Sequence, residues 1–208
     1  MDNLTKNLMG HGWESLFEFG ERTKTLPQIK SVFEAKSMSQ FTRRVSQLPS
    51  QIECIGYDGI QDLEEASNVL KGDLFELFTV MAMNAIGGDR AYLLLGVKWA
   101  PRAQPGFDFT ATNKDGLPVM IQSKFRSNVT EVFESNQLET FLGEGANLGV
   151  AVQRVLFTNA TKLSGRYRRF EREDNLTIID GKVLKKHATE GFWKVVSEQA
   201  DELFSSIS

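Results

Sequence analysis

Three polar side chains interrupt two otherwise apolar, strand-like runs of the sequence. Asp108 lies in the run Phe107–Thr112, and Gln122 and Lys124 lie in the run Pro118–Phe125. Carboxylate and amide oxygens are hard ligands that suit Mg²⁺ or Mn²⁺, and a nearby ammonium group can stabilise negative charge that develops in a reaction. These residues indicate metal-dependent chemistry, provided that the two strands bring them together.

The residues between the two runs predict how the strands pair. Residues 113–116 (Asn-Lys-Asp-Gly) are typical of a hairpin whose three-residue loop ends with glycine in the left-handed region. In that register Asp108 lies opposite Gln122, and Lys124 shares their face because it follows two residues later. The opposite face then carries the pattern of a core, with Phe107, Phe109, Ile121 and Phe125.

Glu76 is a fourth candidate, because it lies in the most apolar part of a helix predicted over about residues 61–86. The apolar face of that helix is marked by Leu70, Leu74, Leu77, Phe78 and Met81. A carboxylate in such surroundings is costly unless it is paired or binds a metal ion. Alternatively, Glu76 pairs with Lys71 or Lys98, or emerges on the polar side of the helix.

The order of these residues resembles the PD-(D/E)XK nuclease superfamily, with Glu on a helix, Gly-x-Asp on one strand and Gln-x-Lys on the next. Glutamine in place of the second acid resembles the Mrr-like branch. Residues 121–127, with 138–141 and 154–160 downstream, are similar to nuclease domains at the start of some bacterial and phage helicases. The similarity covers roughly residues 65–170, and Pro105 stands three residues before Asp108 instead of directly before it.

The resemblance implies a Mg²⁺-dependent endodeoxyribonuclease with a restriction-endonuclease-like fold. Asp108, Glu76, the side-chain oxygen of Gln122 and the backbone carbonyl of Ser123 would hold one or two Mg²⁺ or Mn²⁺ ions. Lys124 would orient the attacking water and stabilise the charge of the transition state. The reaction would be hydrolysis of DNA phosphodiester bonds.

Basic residues downstream of the strands are candidates for contact with DNA phosphates. They are Arg126, Lys162, Arg166, Arg168 and Arg169. An equally good interpretation of the segment 162–172 is an exposed helix with charge pairs between residues three and four apart.

Two other pairs of polar residues have a less certain connection to the site. Thr158 and Asn159 follow a predicted strand at 154–158, and they either reach the substrate or cap a helix. Arg43 and Arg44 are interpreted as solvated surface.

Strand-like and helical patterns are mixed along the 208 residues, which predicts an α/β (α+β) fold with a mixed central sheet flanked by helices. A helix is predicted around residues 132–142, and an amphipathic helix from about 190 to 204. Residues 1–55 are predicted to form an N-terminal helical lobe, and residues 56–208 the nuclease domain.

Composition narrows the class of protein further. A net charge of −3 disfavours a protein that coats nucleic acid with its whole surface, but it permits one local basic groove. The single cysteine, Cys54, allows no intrachain disulfide and is typical of a reducing compartment. No apolar run approaches the roughly 20 residues of a membrane span, and no signal-peptide pattern begins the chain. We therefore expect a cytoplasmic location in a bacterial or phage-infected cell and no membrane partner.

Two alternatives to a self-sufficient nuclease stay open from the sequence. One is a noncatalytic nucleic-acid-binding module that has kept the fold. The other is an interaction domain that works with a helicase or another protein partner, since no GxxxxGK[ST] phosphate loop is present in this chain. A homodimer would permit double-strand cleavage. The presence of Asp108, Gln122 and Lys124 together favours catalysis over binding alone.

Overall fold

The computed structural model describes residues 14–86, 95–99, 106–113, 115–133, 140–142, 152–173 and 176–206, with only the backbone described at 95–99, 168 and 171–173. The helices are α1 Glu14–Thr23, α2 Leu26–Ser31, α3 Met38–Gln51, α4 Leu63–Ile86, α5 Gly165–Glu173, α6 Gly181–His187 and α7 Glu190–Ser205. The strands are β1 Leu95–Trp99, β2 Phe109–Thr112, β3 Pro118–Lys124, β4 Val132–Phe133, β5 Gln153–Thr158, β6 Lys162–Leu163 and β7 Leu176–Ile179.

Within the described residues, the main sheet has five strands in the order β1-β2-β3-β5-β7. Neighbours among β1, β2 and β3 run antiparallel, whereas β3, β5 and β7 run parallel. The mixed sheet with its flanking helices confirms the predicted α/β (α+β) class. Lys124, Thr158 and Ile179 therefore end their strands at one end of the sheet, called here the carboxyl end. The start of β2 also lies there, since β2 runs opposite to β3.

The central helix α4 is buried around most of its circumference, and not only along one stripe. It packs against β3 on one side and against α3 and α7 on the other. An apolar run without a polar face is typical of a helix enclosed in a core. This position places residues of α4 directly against the strand that carries Gln122 and Lys124.

Two hydrophobic clusters fill the two faces of the sheet. The first joins Phe109, Ile121 and Phe157 to α4, α7 and the N-terminal helices. The second joins Met120 and Leu156 to Tyr167 of α5 on the opposite face. The first cluster includes residues from both sides of position 55. The division of the chain into an N-terminal lobe (residues 1–55) and a nuclease domain (residues 56–208) stays a prediction.

Several predicted elements differ from the structure. Residues 132–133 form a strand instead of the start of a helix, because they pair with β6; the later part of that prediction, 134–139, lies outside the described residues, and 140–142 are helical. Helix α6 is not predicted, since it begins with Gly181, a poor helix former. Its first turn is stabilised by Asp180, whose carboxylate accepts hydrogen bonds from the backbone N–H groups of Lys182 and Val183.

Among the described helices, none has both the length and the apolar character needed to cross a membrane.

Candidate active site

The β2–β3 hairpin has the predicted register. Phe109 pairs with Ile121, and Thr112 pairs with Pro118. The turn is stabilised by the Asn113 side chain, whose oxygen accepts hydrogen bonds from the backbone N–H groups of Asp115 and Leu117, each at 2.9 Å. Gly116 has a φ of +79°, which is the left-handed conformation expected at this position. Local turn chemistry thus determines which residues of the two strands face each other.

Phe107 is the exception to the predicted faces of the hairpin. Phe109 and Ile121 lie in the first hydrophobic cluster, and Phe125 packs against it, but Phe107 packs against the second. The prediction that Phe107 shares a face with Phe109 is wrong, because alternation holds only within a strand and β2 begins at Phe109. Gly106, with a φ of +106°, turns the backbone just before that point.

Asp108 lies immediately before β2, at the carboxyl end of the sheet. Its Oδ2 accepts a hydrogen bond of 2.5 Å from the backbone N–H of Ser123. Burial raises the pKa of Asp108 above its ordinary value, while the positive charge of Lys124 and the Ser123 N–H oppose this shift. The structure thus brings the Asp108 carboxylate and the Lys124 ammonium close enough to interact through their charges.

Gln122 is a buried residue whose side-chain amide has no hydrogen-bond partner in the described part of the chain. Only 3% of the residue is exposed, yet its amide atoms are not among the fully enclosed polar atoms without a partner, so they keep some contact with solvent. An amide oxygen that solvent reaches and that accepts no hydrogen bond from a described residue is accessible to a ligand.

Lys124 ends β3 and is half-buried. Its ammonium group makes no ion pair or hydrogen bond with any residue that the structure describes. A lysine kept near a carboxylate without direct pairing retains its three N–H donors for another group.

The side chains of Thr79 and Ser123 join α4 to β3, a contact that the sequence pattern does not predict. Their hydroxyl oxygens lie 2.7 Å apart. Because Thr79 donates its own hydroxyl to the carbonyl of Phe75 at 2.8 Å, the Ser123 hydroxyl is the donor to Thr79. This bond positions the residue between Gln122 and Lys124.

Glu76 lies one helical turn before Thr79 and is half-buried. Its side chain has a polar or electrostatic interaction with another part of the protein. Its role as a metal ligand stays a prediction.

The donor set near Asp108 differs from that of a site built from acids alone. Within the described ranges, no group of three or more histidine, cysteine, aspartate or glutamate side chains is arranged to hold a metal ion. Any metal ion here would need oxygens of another kind, namely the Gln122 amide and the Ser123 backbone carbonyl. These are hard, neutral ligands that fit Mg²⁺ or Mn²⁺.

Thr158 and Asn159 continue the carboxyl end of the sheet beside Lys124. The Thr158 hydroxyl donates to the Lys124 carbonyl at 2.7 Å. Asn159 accepts from the backbone N–H of Arg126 at 2.7 Å and donates to the Arg126 carbonyl at 2.8 Å. The helix-cap interpretation of this pair is wrong, since β6 follows and the next helix begins only at Gly165.

The candidate phosphate-binding residues occupy three different places. The Arg126 guanidinium stacks on the Phe133 ring, with its carbon 4.5 Å from the ring centre. Lys162 is exposed on β6, while Arg166 and Arg169 are exposed on α5, where the Arg166 guanidinium lies 5.9 Å from the Phe170 ring centre. For Arg168 the structure describes only the backbone. Contact of these residues with phosphate stays a prediction.

Comparisons with known proteins give limited similarity. No family model matches the sequence, and no curated protein matches it. A solved structure of an ATP-dependent Type ISP restriction-modification enzyme, LlaBIII, bound to DNA is similar over 55% of this chain, with 24% sequence identity and a TM-score of 0.39. The matched part makes up only 8% of that enzyme's chain. At this similarity the match indicates no function for this protein.

Proposed function

We propose that this protein is a metal-dependent nuclease that hydrolyses phosphodiester bonds of DNA, acting as a Mg²⁺-dependent endodeoxyribonuclease. The observation that supports it best is the arrangement at the carboxyl end of the sheet. There the half-buried Asp108 lies near Lys124. Neither the Lys124 ammonium nor the side-chain amide of Gln122, on the same hairpin, has a partner among the described residues.

The residues fit a divalent cation by their chemistry. Burial disfavours the ionised form of Asp108, and a bound cation would offset that cost. Asp108, Gln122, the Ser123 carbonyl and, as the sequence predicts, Glu76 would hold the ion. When bound, it would neutralise charge on the scissile phosphate and lower the pKa of a water molecule. Since Gln122 is neutral, the site attracts Mg²⁺ less strongly than three carboxylates would.

The protein's own groups would divide the remaining tasks. The Ser123 N–H fixes the orientation of the Asp108 carboxylate through Oδ2, and the Thr79 hydroxyl anchors Ser123 in turn. Lys124 would donate N–H bonds to the attacking water and to a phosphate oxygen whose charge increases in the transition state. A donor fixed in position before the reaction accelerates it because no reorganisation is needed.

DNA is the substrate that we propose. Arg126, two residues after Lys124, would be the first arginine to contact it. Stacking on Phe133 uses the flat face of the guanidinium, and its N–H groups lie at the edges, where they suit a phosphate. Lys162, Arg166, Arg168 and Arg169 would extend the contact. A second copy of the chain or a helicase would be an additional partner.

The test is incubation of the purified protein with supercoiled plasmid, linear duplex and single-stranded DNA in Mg²⁺, Mn²⁺ or EDTA. We expect cleavage with either metal ion and none in EDTA. Asp108→Asn should lower the rate by at least about 10²-fold. The matched control is Asp115→Asn, which removes the same charge from an exposed position of the same hairpin and should cleave like the parent.

Three results would overturn the proposal. One is cleavage that persists in EDTA, and another is an Asp108→Asn variant as fast as Asp115→Asn. The third is tight DNA binding without cleavage under any metal condition, which would favour the noncatalytic binding module.

A further inference from the structure

A cleft of about 810 Å³ opens at the carboxyl end of the sheet, where Asn159 follows β5. One wall is α3, which contributes Arg43 and Ser46. The other walls are the segments that follow β3 and β5 and the helix α6, which contributes Lys185. Clefts of roughly 300–1,000 Å³ are typical of sites for small ligands or single units of a larger one.

The described residues that line the cleft carry charge of one sign. They include Arg43 and Lys185 and no aspartate or glutamate, although the whole chain has a net charge of −3. Both side chains are exposed, and neither has an ion-pair partner within the ranges that the structure describes. A local concentration of positive charge on an acidic protein attracts anions to that place.

The walls of the cleft are held together by hydrogen bonds. The Asn159 amide donates to the Thr42 hydroxyl of α3 at 3.3 Å, besides its two bonds with the Arg126 backbone. The Thr161 hydroxyl donates to the Val129 carbonyl at 2.7 Å. These bonds fix the shape of the cleft before any ligand enters, which lowers the entropy lost on binding.

Gly181 allows α6 to close the remaining wall. Its N–H donates to the Ala160 carbonyl at 2.8 Å. A Cβ at this position would lie only 2.4 Å from the Asn159 carbonyl oxygen. Close approach of the two segments therefore requires glycine here.

The cleft and the candidate active site lie at the same end of the sheet. Lys124 pairs with Thr158 in the parallel register of β3 and β5, and Asn159, the next residue, lines the cleft. In the segment after β3, Ser127 lines it three residues beyond Lys124. A polymer held at Lys124 would thus have its neighbouring units next to this opening.

We propose that the cleft binds a nucleotide of the same DNA strand that is cut, with a phosphate contacted by Arg43 and Lys185. The hydroxyl groups of the lining serines supply further donors to phosphate or sugar, and the side chains of Met38 and Val129 supply apolar contact for the sugar or base. The assignment of DNA as the ligand rests on the proposed nuclease function. It gives the N-terminal helix α3 a direct part in substrate binding.

The test measures DNA binding in EDTA, where cleavage does not interfere, by fluorescence anisotropy with labelled single-stranded and duplex DNA. The variant Arg43→Gln with Lys185→Gln is compared with a control, Lys24→Gln with Lys194→Gln. The control also removes two exposed positive charges, and neither of its residues lines the cleft. Thermal denaturation checks that each variant is folded.

We expect the cleft variant to bind DNA roughly tenfold more weakly at low salt, and the control to bind like the parent. The slope of log affinity against log salt should decrease by about 0.7 for single strands, because the contact with one phosphate is lost. Exchanging the two cations, as Arg43→Lys with Lys185→Arg, should retain most of the affinity. Equal losses in the cleft variant and the control would overturn the proposal.

A competition arm with a nucleoside monophosphate distinguishes the sources of the ligand. If the mononucleotide binds in a way that depends on Arg43 and Lys185 while DNA binding does not, the cleft takes a free nucleotide and the DNA assignment is wrong. If DNA binding depends on both residues but no metal ion supports cleavage by the parent, the cleft assignment stands and the nuclease proposal fails. If the parent cleaves DNA while the cleft variant binds it like the parent, the nuclease proposal stands and the cleft assignment fails.

Discussion

Removing the Asn159 side chain should destabilise the protein measurably, because this buried amide connects three segments. Asn159→Ala deletes hydrogen bonds of 2.7 and 2.8 Å with the Arg126 backbone and one of 3.3 Å with Thr42. Each contributes about 0.5–1.5 kcal/mol net, and the Arg126 backbone groups lose their partner. The 3.3 Å bond is the weakest of the three. We therefore expect a loss of about 2–3 kcal/mol in the free energy of unfolding.

Urea denaturation followed by circular dichroism measures this loss directly. A decrease of 2–3 kcal/mol corresponds to a fall in Tm of roughly 4–12 °C for a chain of this size. The control is Thr42→Val, which removes only the 3.3 Å bond and should cost less than about 1 kcal/mol. In the double variant, Thr42→Val should cost less than it does alone, since the Asn159 donor is already absent.

Two results would refute this reasoning. If Asn159→Ala unfolds within about 0.5 kcal/mol of the parent, the range of surface substitutions, the amide does not join these segments. If Thr42→Val costs as much as Asn159→Ala, the stabilising contact is to α3 and not to the Arg126 backbone.

Three further predictions concern the candidate site. Because burial raises the pKa of Asp108, its ionised form destabilises the metal-free fold, so Asp108→Asn should be more stable than the parent in EDTA at pH 7. This difference in stability should vanish as the pH falls to the ordinary pKa of an aspartate in the unfolded chain. Urea denaturation at pH 7 and at that lower pH measures it, and a variant less stable than the parent at pH 7 would contradict the prediction. Gln122→Glu should tighten Mg²⁺ binding in calorimetric titration and Gln122→Leu should lose most cleavage; a Leu variant that binds metal and cleaves like the parent would show that Gln122 is no ligand. Arg168→Ala with Arg169→Ala should weaken binding to all DNA sequences and lower the salt slope by about 1–2, and an unchanged slope would favour the solvated-helix interpretation of α5.

The hairpin could be predicted from the sequence because its geometry depends on neighbouring residues. Asn113 and Gly116 determine the turn, the turn determines the register, and the register sets Asp108 opposite the Gln122 position. The mixed sheet followed from the alternation of strand-like and helical runs. The alternating pattern predicts the wrong face for Phe107, because nothing in it shows that the strand begins two residues later, at Phe109.

The contacts that hold the site in place could not be predicted, since they join residues far apart in the chain. Thr79 and Ser123 are separated by 44 positions, and Asn159 and Thr42 by 117. Thr, Ser and Asn are common in loops and caps as well, so their types alone do not indicate such partners. The sequence indicates solvated surface for Arg43 and Arg44, yet the Arg44 guanidinium donates to the Ser31 carbonyl. Arg43 lines the cleft at the carboxyl end of the sheet.

The most direct test of the account is the single-turnover rate of DNA cleavage by Lys124→Ala in saturating Mg²⁺. Lys124 has no partner within the described residues that would make it structural, so the variant should fold with a Tm close to that of the parent. Lys194→Ala, which removes an exposed lysine paired with Glu198 on α7, is the matched control. We predict that Lys124→Ala cleaves at least about 10²-fold more slowly while Lys194→Ala keeps the parent rate. Equal rates for the two variants would contradict the assignment of this hairpin as the catalytic centre.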